Sequence, residues 1–134
     1  MNQREINALG DKIRQLAFEI HVYFRHGHLE KIYENALVRR LIKAGIKAQQ
    51  QYPLSVSDED GTLLGEYYVD ILVEDFLVLE IKAAKALAPE HEAQVFGYLR
   101  ASRLQHALLL NFGASKFQIR KFALSTTKDN QKFT

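Results

Sequence analysis

The sequence predicts a mixed α/β (α+β) fold, a central β-sheet flanked by helices. Two amphipathic helical stretches lead the chain and three strand-like runs follow them directly. A third helical stretch then separates those strands from two more, and the order helix, helix, three strands, helix, two strands points to one mixed sheet covered by helices. With 134 residues, 47% of them hydrophobic and 25% charged, the chain suffices for one core but not two. A single domain over residues 1–124 is therefore expected, followed by a polar C-terminal tail at 125–134.

Composition excludes some chemistry. With no cysteine there is no disulfide, no thiol nucleophile and no thiolate zinc site. A formal charge of +2 neither demands nor rules out a nucleic-acid partner, so any basic surface has to be local. Neither an apolar signal core nor a bilayer-length apolar run is present, so a cytoplasmic address and no membrane partner are expected.

In the first helix, Ile6, Leu9, Ile13, Leu16, Ala17, Ile20 and Phe24 recur at helical spacing with charges between them. The run Arg25, His26, Gly27, His28 breaks the pattern. A second helix begins near Leu29 and carries Ile32, Tyr33, Ala36, Leu37, Leu41 and Ile42 inward, with Gly45 placed for a left-handed C-terminal cap. Glu30, in its first turn, is favoured there by the helix dipole whatever else it does. Residues 46–56 alternate loosely, and Pro53 among them argues for an edge strand or a bulge. Ser57 to Gly61 form a polar turn into a strand over residues 63–73. Pro89 sits near the start of a helix that runs to about Ser102. The segment HALLLNF (106–112) reads as a strand buried on both faces, Gly113 ends it, and residues 117–124 alternate as a last strand.

The stretch Gly65 to Ala83, GEYYVDILVEDFLVLEIKA, places Asp70, Glu80 and Lys82 among Val, Ile and Leu. Glu80 and Lys82 share one face of their strand while Leu79 and Ile81 face the other way. Charges on such a sheet are costly to bury unpaired, which makes a metal or a phosphate the first explanation to test. Register decides whether Asp70 joins them. A two-residue loop at Glu74 and Asp75 would set Asp70 opposite Leu79 and split the site, whereas a three-residue loop, Glu74 to Phe76, sets it across from Glu80. The odd loop, or a bulge, is expected.

Gly27-His28-Leu29-Glu30-Lys31-Ile32-Tyr33 has the form G-x-x-E-x-x-Y and is followed by Glu34-Asn35-Ala36-Leu37. Then come Gly65-Glu66-Tyr67, Asp70, Glu80-Ile81-Lys82, His91-Glu92-Ala93-Gln94 with Tyr98, and Leu110-Asn111-Phe112-Gly113. In this order the residues resemble the GxxExxY family of small prokaryotic proteins, within the PD-(D/E)XK nuclease superfamily. The resemblance covers roughly residues 5–124 and implies a restriction-endonuclease-like core, α-β-β-β-α-β. It further implies a magnesium-dependent (or manganese-dependent) phosphodiesterase. Asp70 and Glu80 would be metal ligands, Lys82 the catalytic lysine, Glu30 the first-helix acid, and Gln94 with Tyr98 the helix motif beside it. Val69 stands where the superfamily pattern has proline.

Such chemistry explains the residue types. A hard divalent cation prefers carboxylate, carbonyl and water oxygens. Asp70, Glu80 and the backbone carbonyl of Ile81 supply three, and Glu30 can bind through a water. Lys82 would orient or help deprotonate the attacking water, and mutual repulsion should raise the pKa of at least one carboxylate. His91, Gln94 and Tyr98 recur on one helical face. Taken singly, an E-x-K on a strand is a solvated ion pair, Tyr33 and Tyr98 are core or supporting residues, and His91 and His21 pack or contact substrate. His26 and His28 lack a further ligand for zinc. Lys85, Arg100, Arg103, Lys116, Arg120 and Lys121 are candidates to hold phosphates. The expected partner is nucleic acid, DNA ahead of RNA, with a homodimer the simplest means of cutting two strands. A nuclease-like fold that binds nucleic acid or protein without cutting stays open as the alternative.

Overall fold

The computed structural model describes residues 1–124, so the expected tail at 125–134 lies outside the described residues. Helix α1 (Gln3–Phe24) begins at a reciprocal cap: the Asn2 side chain accepts the Glu5 N–H at 2.9 Å and the Glu5 carboxylate accepts the Asn2 N–H at 3.3 Å. Helix α2 (Glu30–Lys43) ends with Gly45 at φ 79°, the anticipated left-handed residue. There the Gly45 N–H donates to Ile42 O at 3.0 Å and the Ile46 N–H to Leu41 O at 2.9 Å, which satisfies two terminal carbonyls.

Burial along α2 corrects the inward stripe. Tyr33, Leu37 and Leu41 are buried as expected, but Ile32 and Ile42 are exposed and Val38 and Glu34 take their place. Residues 33, 37 and 41 define the inward line, and 34 and 38 lie on the flank that meets the sheet, while 32 and 42 do not.

The sheet holds β1 (Ala48–Ser57), β2 (Leu63–Val73), β3 (Leu77–Lys82), β4 (His106–Asn111) and β5 (Gln118–Ala123), in that spatial order. All neighbours are antiparallel except β3 and β4, which are parallel and joined through α3 (Pro89–Ser102). A helical crossover is what parallel pairing requires. Pro53 lies on β1, an edge strand, which meets the first of the two alternatives expected for it; Pro53 itself pairs in register with Tyr68, and the register of β1 shifts further on, between Val56 and Ser57.

Two apolar layers cover the sheet. Ile13, Ala17 and Ile20 of α1 and Tyr33, Leu37 and Leu41 of α2 pack against Ile71, Leu79 and Ile81 on one face. Val95, Tyr98 and Leu99 of α3 pack against Leu72, Val78 and Leu109 on the other. The first hairpin does not keep to one face. Ala48 packs on the α1/α2 side and Tyr52 and Leu54 on the α3 side, although strict alternation would put all three together. Its partner switches likewise, between Val69 on the α3 side and Ile71 on the other. Gln51 lies at the switch with φ 49°, and in the register of the pair it faces Asp70. The outer half of the hairpin is thus rolled toward α3, with Asp70 at the pivot.

Candidate active site

The loop between β2 and β3 is Glu74 to Phe76, three residues, with Glu74 and Asp75 at φ 49° and 64°. Val73 pairs with Leu77, Leu72 with Val78 and Ile71 with Leu79, so the next position brings Asp70 across from Glu80. That is the register on which a shared site depends. At this point side chains take over from the backbone ladder. The Asp70 N–H donates to Glu80 Oε1 at 3.0 Å, and the Ile81 N–H donates to Asp70 Oδ2 at 2.8 Å. Each carboxylate is therefore held by the opposite strand, at the place where β2 begins to roll away from β3.

The expected residues are distributed as follows. Lys82 follows Glu80 on the α3 face, and its Nζ donates to Gln94 Oε1 at 3.0 Å. Gln94 is an exposed residue of α3, while Tyr98, one turn on, is buried beside the site. His91 sits one turn before Gln94, where its Nδ1 accepts the Ala88 N–H at 3.1 Å and closes the start of α3. Ile81 turns its side chain into the α1/α2 layer. Tyr33 is fully buried, stacked on Phe112 at 4.7 Å, and its hydroxyl donates to Arg25 O and accepts the His28 N–H, so it pins the loop before α2. Glu30 is exposed at the start of α2. Elsewhere, His21 Nε2 lies 2.9 Å from Ala114 O, Lys121 bonds Asn7 and Arg120 lies 3.9 Å from Glu92.

Residues that the sequence reading left without a role complete the surroundings. Glu34 is buried and accepts from Lys31 Nζ at 2.9 Å, Gln50 Nε2 at 2.7 Å and Gln51 Nε2 at 3.1 Å. The same Gln51 amide also reaches Asp70 Oδ1 at 3.3 Å, linking the two acids. The signal for Glu34 was its spacing, four residues after Glu30 on one helical face. Asn111, also buried, accepts the Ala84 and Gly113 N–H groups, both at 3.0 Å, and donates to Ala84 O and Gln118 Oε1, both at 2.9 Å. It clamps the chain just after Lys82. Gly113 allows the approach, since a Cβ there would stand 2.3 Å from the Ala83 carbonyl carbon and the Ala84 nitrogen.

Electrostatics mark the carboxylate pair. Burial pushes Glu80 up to about 8 and the Asp70 charge adds to the rise, against the Asp70 N–H and the Lys82 charge, which pull it down. Asp70 is raised too, first by burial and then by the charges of Glu34 and Glu30, against its bonds from Ile81 and Gln51. Burial, with Glu80 and Asp70 next, pushes the Tyr98 phenol up to about 12. Among the described residues, no group of three or more His, Asp or Glu side chains converges as a ready cage. The donor set nevertheless fits a hard cation that keeps several waters: it is all oxygen, its two closest carboxylates are under-compensated, and each engages the opposite strand's N–H through only one oxygen.

The family model described as the PD-(D/E)XK nuclease superfamily matches residues 7–122. Among solved structures, SSO0001 resembles the chain with a TM-score of 0.56 at 15% identity, covering 75% of this chain and 52% of that one. The chain thus spans about half the length of SSO0001. An alkaline exonuclease, LHK-Exo from Laribacter hongkongensis, has a TM-score of 0.54 at 12% identity, with 91% of this chain and 72% of that one covered. No curated protein matches the chain. At these identities the two structures show a shared restriction-endonuclease-like fold, whereas the family match spans nearly every element from α1 to β5. The chain belongs to the PD-(D/E)XK nuclease superfamily.

Proposed function

We propose that this protein is a divalent-metal-dependent nuclease of the GxxExxY type, with DNA ahead of RNA as substrate. The observation that carries the reading is the register that sets Asp70 across from Glu80, with Lys82 beside them and held by Gln94. Asp70, Glu80 and the Ile81 carbonyl would hold Mg²⁺ or Mn²⁺, with Glu30 acting through a water. Such a cation supplies a nucleophilic water and offsets charge growing on the phosphate. Lys82 orients that water and stabilises the developing negative charge, and Gln94 fixes the Lys82 amine where it can do so. Asn111 sets the backbone that follows Lys82. The same reading carries a cytoplasmic location and a homodimer, the latter testable by light scattering.

Incubating the protein with single- and double-stranded DNA and RNA and Mg²⁺ or Mn²⁺ tests the proposal. Cleavage should vanish with EDTA, and with Asp70→Ala or Lys82→Ala in folded protein. Cleavage that survives those substitutions, or none of any substrate, would sink it, and binding without cleavage would favour the non-catalytic alternative.

A further inference from the structure

Gln51 is held in a conformation that its own residue type does not favour. Among the described residues, the others with positive φ lie in loops or at helix ends, whereas Gln51, at φ 49°, lies within β1. Glycine enters the left-handed region freely, and asparagine or aspartate can support it with a short side chain, but glutamine has neither advantage. The β1–β2 ladder passes from Gln50 with Ile71 to Tyr52 with Val69 and omits Gln51 and Asp70 between them. Such an outlier persists only where its surroundings over-determine it.

What this conformation secures is a set of side-chain contacts. Gln51 Nε2 donates to Glu34 Oε1 at 3.1 Å and to Asp70 Oδ1 at 3.3 Å. An amide nitrogen has two N–H donors, one for each acid, and carries no charge. Glu34 is buried on α2 and accepts from Lys31 and Gln50 as well, so it is a fixed point. Asp70 is thus bonded at both oxygens, Oδ2 by the Ile81 N–H of β3 and Oδ1 by Gln51 of β1, which sets the plane of its carboxylate. Each oxygen keeps a lone pair for a cation. The neutrality of the donor matters. A lysine here could also bond both acids, but its charge would cancel the field that draws a cation in.

We infer that Gln51 is a positioning residue for the reaction: its amide ties Asp70 to Glu34, and so to α2, and orders the Asp70 carboxylate before a cation binds. The inference rests on the nuclease reading, which makes Asp70 a ligand, and adds the residue that prepares it. A ligand already ordered in the free protein loses little further freedom on binding. Groups that bond a metal ligand from behind are typically worth roughly tenfold to a hundredfold in metal affinity. Gln51 is exposed, so shortening it opens no cavity in the core.

Titration of the full chain with Mn²⁺, followed by loss of the free-ion electron paramagnetic resonance signal, tests this without nucleic acid. Gln51→Gly and Gln51→Ala should each bind Mn²⁺ roughly tenfold to a hundredfold more weakly than wild type. The two losses should be similar, although only glycine relieves the left-handed backbone and the variants therefore differ in stability. Hydrogen exchange of the metal-free protein gives a second readout. The Ile81 N–H, which donates to Asp70 Oδ2, should lose protection in both variants while the amides of β4, paired on both sides, keep theirs. A loss of affinity confined to Gln51→Ala would follow stability rather than the amide and would overturn the inference, as would unchanged protection at Ile81. Wild-type binding that Asp70→Ala abolishes and Gln51→Gly leaves intact would overturn the inference alone. Absent Mn²⁺ binding by the wild-type chain would remove the metal site and the inference together.

Discussion

Replacing Glu80 with glutamine keeps an oxygen that can accept the Asp70 N–H, bonded at 3.0 Å in the native chain, and removes the charge. The native carboxyl has its ordinary value of 4.5 pushed up to about 8 by burial and by Asp70. Between those values the folded protein holds a proton that the unfolded chain has released. Stability of the metal-free protein should therefore fall as pH rises through about 4.5 to 8, and the contribution should level off above that. At about 1.4 kcal/mol for each pH unit, the loss is roughly 3 kcal/mol by pH 7 and about 5 kcal/mol well above pH 8. Urea denaturation in EDTA at about pH 5, 7 and 9 should show the wild type losing roughly 4 kcal/mol more across that range than Glu80→Gln. Added Mg²⁺ should recover stability in the wild type at high pH and do little for the variant, because a cation replaces the proton that burial would otherwise retain. Parallel pH profiles for the two proteins would refute the reasoning, since the buried charge would then have no cost for the substitution to remove.

Other perturbations test the supports of the site. Gly113→Ala puts a Cβ 2.3 Å from the backbone at Ala83 and Ala84, so it should cost about 1–3 kcal/mol in denaturation. It should also depress cleavage by displacing the segment that follows Lys82; unchanged stability would show that the contact is not tight. Asn111→Ala strands the Ala84 and Gly113 N–H groups and should destabilise by at least about 2 kcal/mol in the same assay. Gln51→Gly and Gln51→Ala both lose the amide between Glu34 and Asp70, but only glycine relieves φ 49°. Gly should be the more stable variant by about 1 kcal/mol, and the reverse order in thermal melts would contradict a strained Gln51.

The helix and strand sequence was readable because its signals lie within short windows. The spacing from Ile13 to Ile20 marks α1, Gly45 ends α2 as anticipated, and Pro53 lies on the edge strand to which its missing N–H confines it. The hairpin register was anticipated because only the three-residue loop sets Asp70 across from Glu80; β3 is buried on both faces, so its apolar pattern alone does not fix the register. Ile32 and Ile42 were misread because apolar character alone does not say which flank of α2 meets the sheet. Asn111 was absorbed into an apolar run, although a buried amide at the end of a strand has several hydrogen bonds to satisfy and so signals a clamp. Gln51 carried no signal: nothing in the run Gln49 to Gln51 marks one of them for a left-handed conformation.

Periodicity and turn chemistry thus determine the elements, because these follow from side chains a few residues apart, whereas the pairing of Asp70 with Glu80 was what a shared site required and the folded hairpin supplies it. The environment of that pair depends on segments far apart in the chain: Gln51 on Asp70, Gln94 on Lys82, Asn111 on Ala84, and Tyr67 against Tyr98. Solvent exclusion and charge compensation at Glu80 arise only when these segments pack together. The raised carboxyls and the roll of the hairpin are accordingly properties of the folded chain, set by desolvation and long-range packing that no local pattern encodes.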